Sequence, residues 1–255
     1  MSGKVQFKMA LAGCLLLASC LLSASSLLAY TGTITDDFND NSINTSLWQA
    51  VSSGTGFTVN ETNQQLEISL PGTASGHAGY VSRWVLRGDF DMQVDFTLLN
   101  WPSGNGTESG LELSKPFSDN LIAGVGRSNL SSFDSYLSEI IGPFFGFAPT
   151  GDLSGKLRIN RTGDTITCYY WDSVSMSWAD ILSHTDPVLA QDGIFDLRFG
   201  LSPDSIPGGL PVQIAFDNFQ LQYDQLVPIP PTLLLLGSGL LGLGLSELRR
   251  KMKQG

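Results

Sequence analysis

Acidic residues that share a strand face are the first candidates for chemistry in this chain. Asp89, Asp91 and Asp95 alternate with apolar residues, and Glu108 and Glu112 stand four residues apart. Hydrolysis of a glycosidic bond needs two carboxylates held about 5–5.5 Å or about 6.5–9.5 Å apart. The aspartates are outward partners of a core strand, and no third acid completes a pattern with the glutamates. The spacing therefore favours solvated strand faces, and we predict no catalytic residue.

Oxygen-bearing side chains at the two ends of the body could hold a calcium ion. Asp37 and Asp40 lie in the Asp- and Asn-rich run 36–41, and Asp217 lies close to the end of the body. Ca²⁺ takes about six to eight oxygen ligands. If the first and last strands pair, these acids predict a structural Ca²⁺ that ties the termini together. The alternative is turn chemistry, because Asp and Asn side chains bond their own backbone. No other cofactor is predicted.

Three aromatic residues are candidates for binding a sugar. Tyr169 and Trp171 are out of phase with the apolar residues of their strand, so we expect them to face solvent. Together they predict a stacking platform, and Trp101 offers a further ring. The segment 144–147 adds three phenylalanines in what we expect to be a loop. Burial in the core is the alternative for each ring.

Cys168 is the only cysteine of the body, so no disulfide can form within it. It alternates with Ile166 and Tyr170, which predicts a position in the core. A nucleophilic cysteine would need a nearby histidine, and the chain contains only His77 and His184. The pattern favours a buried core thiol over a reactive one.

A period of two recurs through the body and indicates strands with one buried face. In residues 90–98, for example, apolar side chains alternate with polar ones. Turn residues at 162–164 separate two further strands, and a change of phase at Asp217 and Asn218 predicts a bulge. We predict an all-β fold, a two-sheet antiparallel jelly-roll sandwich, with an N-terminal signal helix and a C-terminal apolar helix added.

Short motifs follow one another in a definite order through this body. They are Asp36–Asn41 with Leu47 and Trp48, Leu66–Ile68, Gly88–Asp91, Lys156–Ile159 with Arg161–Asp164, Tyr170–Asp172 before Trp178, and Phe216–Phe219. The order resembles the concanavalin A-like lectin/glucanase superfamily, laminin G-like branch, over nearly all of residues 34–224. The resemblance implies a jelly roll whose first and last strands pair. It also implies carbohydrate or matrix binding as the commonest role, with some members hydrolysing glycans through a Glu-x-Asp-x-x-Glu pattern that this chain lacks.

Residues 1–29 have the layout of an export signal. Lys4 and Lys8 precede an apolar run that ends near Leu22, and small residues follow up to Ala29. Leu17–Cys20 also resembles a lipoprotein box, in which Cys20 would be acylated. Because the apolar character continues beyond Cys20, ordinary cleavage of a secretory signal is favoured.

The C-terminal segment 226–255 is predicted to be a sorting tail. It begins with a Pro-x-Pro segment formed by Val227, Pro228, Ile229 and Pro230. A predicted short transmembrane helix at residues 233–248 follows, and a basic cluster of Arg249, Arg250 and Lys251 comes after it. This layout resembles the PEP-CTERM tail of bacterial exported proteins, which implies an exosortase-type sorting enzyme as a partner. The family usually has Glu where Ile229 stands, a difference that bears on cleavage. A plain membrane anchor is the alternative.

Charge limits the partners of the body, predicted as residues 30–225. It keeps 8 of the 14 basic and 23 of the 24 acidic residues, a formal charge of −15. A body this acidic repels phosphate backbones, so no nucleic acid is expected. We expect an exported bacterial protein of the cell envelope or matrix that binds glycan or exopolysaccharide without catalysis. A glycan hydrolase or lyase on the same fold, and a purely structural surface protein, are the alternatives.

Overall fold

The computed structural model describes residues 31–53, 56–71, 76–102, 106–115, 120–129, 134–190, 196–203 and 211–228. The predicted signal segment, residues 1–29, lies outside the described residues. So do Ile229, Pro230, the predicted transmembrane helix and the basic cluster Arg249, Arg250 and Lys251. None of the described helices has the length and apolar character that crossing a membrane requires.

Fifteen strands and one short helix make up the described chain. In order they are β1 (Gly32–Asp36), β2 (Trp48–Ser53), β3 (Thr58–Thr62), β4 (Gln65–Leu70), β5 (His77–Ser82), β6 (Trp84–Asn100), β7 (Thr107–Ser114), β8 (Leu121–Ser128), β9 (Ser135–Ile140), β10 (Phe144–Pro149), β11 (Ser154–Thr162), β12 (Thr165–Asp172), β13 (Ser177–Thr185), α1 (Pro187–Ala190), β14 (Asp196–Pro203) and β15 (Val212–Pro228).

The strands form two antiparallel sheets. Sheet A has the order β13-β12-β11-β6-β15-β4-β3, with β1 also paired to β15, and sheet B has the order β10-β9-β8-β7-β14-β5-β2. Side chains of β6 alternate between the interior and the outside. Its residues Phe90, Met92, Val94 and Phe96 are buried in the core between the sheets. The predicted all-β, two-sheet antiparallel sandwich is confirmed.

Three local predictions are also confirmed. The turn between β11 and β12 contains Gly163 at φ +61°, a backbone conformation that glycine adopts without strain. The register of β15 shifts between Asp217 and Gln220, where the bulge was predicted. The first and last strands pair, with Asp36 opposite Phe219.

The final strand is longer than the sequence indicated. We placed the end of the body at residue 225, but β15 continues to Pro228. Leu226, Val227 and Pro228 pair with Leu86, Val85 and Trp84 of β6. The first half of the predicted sorting motif therefore belongs to sheet A.

Cys168 lies where its periodicity predicted. The side chain is fully buried, and burial raises the pKa of its thiol to about 12. The thiol is therefore protonated at neutral pH and unsuited to nucleophilic attack.

Candidate functional site

The outer face of sheet B carries the acids of β7. Leu111 and Leu113 are fully buried in the core, so the alternating residues Glu108, Gly110 and Glu112 face away from it. The register continues this face onto the next strands, with Glu112 opposite Gly124 of β8 and Gly124 opposite Glu139 of β9. Glu108 and Glu112 do share a strand face, as their spacing indicated.

Glycine residues form the floor of this face. Gly79, Gly200, Gly110 and Gly126 lie side by side on β5, β14, β7 and β8. Three strand spacings of about 4.8 Å give this row a length of about 14 Å. A β-carbon added to Gly110 would lie 2.2 Å from the carbonyl oxygen of Val125, so the two strands approach closely there. An added β-carbon at Gly126 would likewise clash with the carbonyl oxygen of Ser109, so the row requires glycine at both positions.

The result is a shallow acidic depression, which we call the glutamate trough. Its lining includes Glu108, Glu112 and Glu139, the glycines Gly110 and Gly126, and the buried Arg127. The three glutamates are half-buried although they face outward. Burial raises the pKa of Glu139 above its ordinary value. The cavity measures only about 50 Å³. A ligand would therefore lie on the trough rather than inside it.

Two exposed phenylalanines border the trough on edge strand β10. Phe145 is paired with Glu139 and Phe147 with Leu137, so both rings lie on the outer face. They are 51% and 54% exposed. Residues two apart on a strand are about 7 Å apart on the same side. We call this pair the phenylalanine edge.

We expected the segment 144–147 to be a loop, and this expectation was wrong because the segment forms β10. The alternation of side chains along residues 144–147 was the sequence signal that could have predicted this strand. Phe144 lies on the opposite side of the strand from Phe145 and Phe147 and stacks on His184 with ring centroids 3.9 Å apart, although it is still 43% exposed.

The predicted sugar-binding residues lie in two other places. Tyr169 and Trp171 are on β12 in sheet A, where the Tyr169 ring lies 5.2 Å from the guanidinium carbon of Arg158. Trp101 follows β6, packs partly buried against the core and donates from Nε1 to Asp134 at 2.8 Å. The structure keeps Tyr169 and Trp171 together but gives Trp101 a separate set of neighbours.

The aspartates of β6 form bonds within sheet A. Asp95 accepts from Nζ of Lys156 at 2.7 and 2.9 Å. Asp91 forms a two-pronged ion pair with Arg158. Asp89 accepts from the backbone of Gly163 at 2.7 Å. These carboxylates act as cross-strand partners on a solvated face, the role that their spacing favoured.

The predicted calcium ligands form turn bonds. Asp37 accepts from the backbone of Asn39 at 3.2 Å, and Asp40 accepts from Ser42 at 3.0 Å. Burial, together with the charges of Asp95 and Asp37, raises the pKa of Asp217. Across the described ranges, no three Asp, Glu, His or Cys side chains converge on a metal position. The hydrogen bonds of Asp37 and Asp40 fit turn chemistry. The structural Ca²⁺ at Asp37, Asp40 and Asp217 stays a prediction.

A buried carboxyl lies beside this loop and makes stability depend on pH. Glu61 of β3 is 8% exposed and accepts from the hydroxyl of Tyr80 at 3.0 Å, which joins the two sheets. Burial is the main reason that its pKa rises to about 7, and the nearby charges of Asp36 and Asp40 add to the rise. The folded state therefore prefers Glu61 protonated.

Replacement Glu61→Gln is expected to stabilise the fold by roughly 2 kcal/mol at pH 8. The wild-type Glu61 carboxyl does not lower the free energy of unfolding below its unfolded pKa of about 4.5, and it lowers it fully above its folded pKa of about 7. The gain should therefore vanish at pH 4. Urea unfolding at both pH values measures it, with Asp180→Asn, at an exposed carboxylate, as the control for lost charge. Equal gains at both pH values would contradict the burial of an ionisable Glu61.

Comparison with known proteins identifies the fold. No protein-family profile matches the chain, and no curated protein sequence is significantly similar to it. Lectin II from Ulex europaeus superposes with a TM-score of 0.57 at 7% identity, over 77% of this chain and 100% of the lectin. The fold is the concanavalin A-like jelly roll. The fold part of the predicted resemblance is therefore confirmed.

Enzymes share this jelly roll. SCLam, a non-specific endo-beta-1,3(4)-glucanase from family GH16, has a TM-score of 0.56 at 10% identity, over 78% of this chain and 94% of its own. An alginate lyase from Klebsiella pneumoniae has a TM-score of 0.55 at 9% identity, over 74% and 99%. At these identities the likeness concerns the fold alone.

Proposed function

We propose that this chain is a non-catalytic carbohydrate-binding protein whose binding face is the glutamate trough with its phenylalanine edge. The observation that carries the proposal is the position of Phe145 and Phe147, two exposed rings beside half-buried carboxylates. Binding sites combine apolar surface with a few placed polar groups. A sugar ring has an apolar C–H face that stacks on an aromatic ring, and its hydroxyls donate to carboxylates. The trough and its edge supply both kinds of contact.

Charge narrows the class of sugar. Three glutamates line the trough, and the body as a whole has a formal charge of −15. Such a surface repels uronate and sulfate groups. We therefore propose an uncharged polysaccharide as the ligand, lying along the glycine row.

The absence of catalysis is supported by the spacing of the acids on β7. Four residues along a strand put the backbones of Glu108 and Glu112 about 14 Å apart. Gly110 stands between them, where a nearer carboxylate would be needed. The separations that glycoside hydrolysis requires are shorter, at most about 9.5 Å.

A glycan hydrolase or lyase is the second candidate, and one observation favours it. Glu112 and Glu139 flank Gly124, so their backbones are two strand spacings apart, about 10 Å. Inclined side chains would bring their carboxylates within the range of about 6.5–9.5 Å used by inverting enzymes. The raised pKa of Glu139 would suit an acid. This candidate makes the glutamates the reacting groups.

Affinity electrophoresis through gels that contain neutral or uronate polysaccharides tests binding. We expect at least one neutral glucan, mannan or galactan to retard the protein, and alginate to leave its mobility unchanged. A reducing-end assay on the same panel, together with absorbance at about 235 nm for the unsaturated ends that lyases release, should stay at the blank value. Release that Glu112→Gln or Glu139→Gln abolishes would establish the enzyme instead. No retardation by any polymer would favour a purely structural protein.

We also propose that the protein is exported and sorted to the envelope or matrix through its C-terminal tail, with an exosortase-type enzyme and the membrane as partners. The support is the tripartite sequence of residues 226–255 and the signal-like residues 1–29. Intact mass of the protein from its host, in membrane and medium fractions, tests this proposal. Loss of residues 1–29 and of the tail beyond about Pro230 is expected. A mass that retains the tail, found only in membranes, would contradict cleavage and indicate a plain anchor.

A further inference from the structure

The outer face of sheet A carries a second group of aromatic rings. Trp171 of β12 and Trp178 of β13 are directly paired, and their ring centroids lie 5.4 Å apart at an interplanar angle of 81°. Tyr169 lies two residues from Trp171 on the same side of β12. The three residues are half-buried. We call them the ring platform.

A row of fixed polar groups leads away from the ring platform. Tyr169, Arg158, Gln93 and Gln220 are successive cross-strand neighbours on β12, β11, β6 and β15. The amide of Gln93 donates to that of Gln220 at 3.2 Å. Three strand spacings make the row about 14 Å long. Arg158 is held between two rings, with Tyr169 at 5.2 Å and Trp178 at 5.5 Å from its guanidinium carbon.

Two ion pairs lie on this face. The Arg158 guanidinium is joined to Asp91, and the ammonium of Lys156 to Asp95. Both basic residues thus have acidic partners on β6, and no ligand anion is needed to neutralise them. This face offers a ligand aromatic surface and fixed side chains that can form hydrogen bonds with hydroxyl groups.

Open space borders the rings. A groove of about 190 Å³ is lined by Trp178, Gln93, Gln220 and Gln222 among others. A second, of about 290 Å³, is lined by Trp171, Lys156 and Asp95 among others. Both are larger than the cavity of the glutamate trough, so sugar units could enter between the rings and the polar row.

We propose that the ring platform and its polar row bind a second strand of uncharged polysaccharide, so that a single copy of this domain cross-links two polymer chains. This inference rests on the proposed function and adds a second site to it. The two sheets pack face to face about 10 Å apart at their backbones, and their outer faces point in opposite directions. One short stretch of polymer cannot cover both faces. Two sites on opposite sides therefore join separate strands, as a matrix protein would.

Bridging of beads coated with the polysaccharide that the wild type binds is the direct test. The monomeric wild type should aggregate the beads. Trp171→Ala/Trp178→Ala and Phe145→Ala/Phe147→Ala should each still bind to single beads, with aggregation lowered at least tenfold. Val174→Ala, an exposed apolar residue between Trp171 and Trp178, should aggregate them as the wild type does.

Each outcome separates the two proposals. Full aggregation by Trp171→Ala/Trp178→Ala would overturn the second site, and it would show that any bridging comes from association of protein copies. Complete loss of binding in Phe145→Ala/Phe147→Ala would leave one site only, so the proposed function would stand and the cross-linking would fall. A wild type that binds no polysaccharide at all would overturn both.

Hydroxyl-radical footprinting of the unaltered protein covers the case in which a variant does not fold. Saturating polysaccharide should lower labelling at Trp171 and Trp178 as well as at Phe145 and Phe147, by threefold or more. Val188, which is as exposed as Phe147, should keep its labelling. Protection confined to the phenylalanines would overturn the second site.

Discussion

Replacement of Gly110 by alanine is expected to lower the free energy of unfolding by about 3 kcal/mol or more. The added β-carbon would lie 2.2 Å from the carbonyl oxygen of Val125 and 2.5 Å from the α-carbon of Gly126. Both atoms belong to the backbone of β8, so no side chain can rotate away. The strands would have to separate, which would strain the hydrogen bonds of their ladder in the middle of sheet B.

Gly124→Ala is the matched control, because Gly124 is also an outward-facing glycine and lies on the neighbouring strand β8. A β-carbon there meets Glu112 Cγ and the Leu121 methyls at 3.7 Å, an ordinary contact. Its cost should stay below about 1 kcal/mol. Urea unfolding of the two variants beside the wild type gives both values. Similar stabilities for Gly110→Ala and Gly124→Ala would contradict the close approach of β7 and β8 that forms the trough.

Local periodicity was sufficient to predict the architecture. In β6, alternation alone indicates which face is buried, because side chains on successive residues point to opposite sides. The same argument found the bulge at Asp217, where the phase changes, and the buried position of Cys168. These features depend on near neighbours in the chain, so a single sequence contains the information.

The candidate site depends on pairings between distant segments. Gly79, Gly110, Gly126 and Gly200 span more than a hundred residues of sequence and become neighbours only through the order of strands in sheet B. No spacing rule links them in advance. Phe145 and Phe147 were among the candidate rings, but their segment was expected to be a loop. Their place beside the glutamates depends on the pairing of β10 with β9.

The aspartates of the run 36–41 show that composition alone cannot distinguish a metal site from turn hydrogen bonds. A crowded acidic run predicts a cation site and a series of turn caps equally well, because the same oxygens serve both purposes. In this fold the oxygens of Asp37 and Asp40 accept bonds from their own loop. Which of the two uses applies depends on where the oxygens point, and that is fixed by the folded backbone.

The glutamate trough with its phenylalanine edge is the central claim, and the double variant Phe145→Ala/Phe147→Ala tests it most directly. About half of each ring is already covered, so a ligand can bury the other half, worth about 1–1.5 kcal/mol per ring. At the site of sheet B, the dissociation constant for the best-binding neutral polysaccharide should rise at least about thirtyfold. Val188→Ala, at an equally exposed apolar residue on α1, is the control.

The deciding measurement is therefore isothermal titration of that polysaccharide into the wild type, the double variant and the Val188→Ala control. The polymer must be short enough to occupy one face. We predict that the double variant loses the site of sheet B while its thermal unfolding midpoint stays within a few degrees of the wild type. An unchanged number of sites and unchanged affinities would contradict the assignment, and would show that carbohydrate does not bind at Phe145 and Phe147.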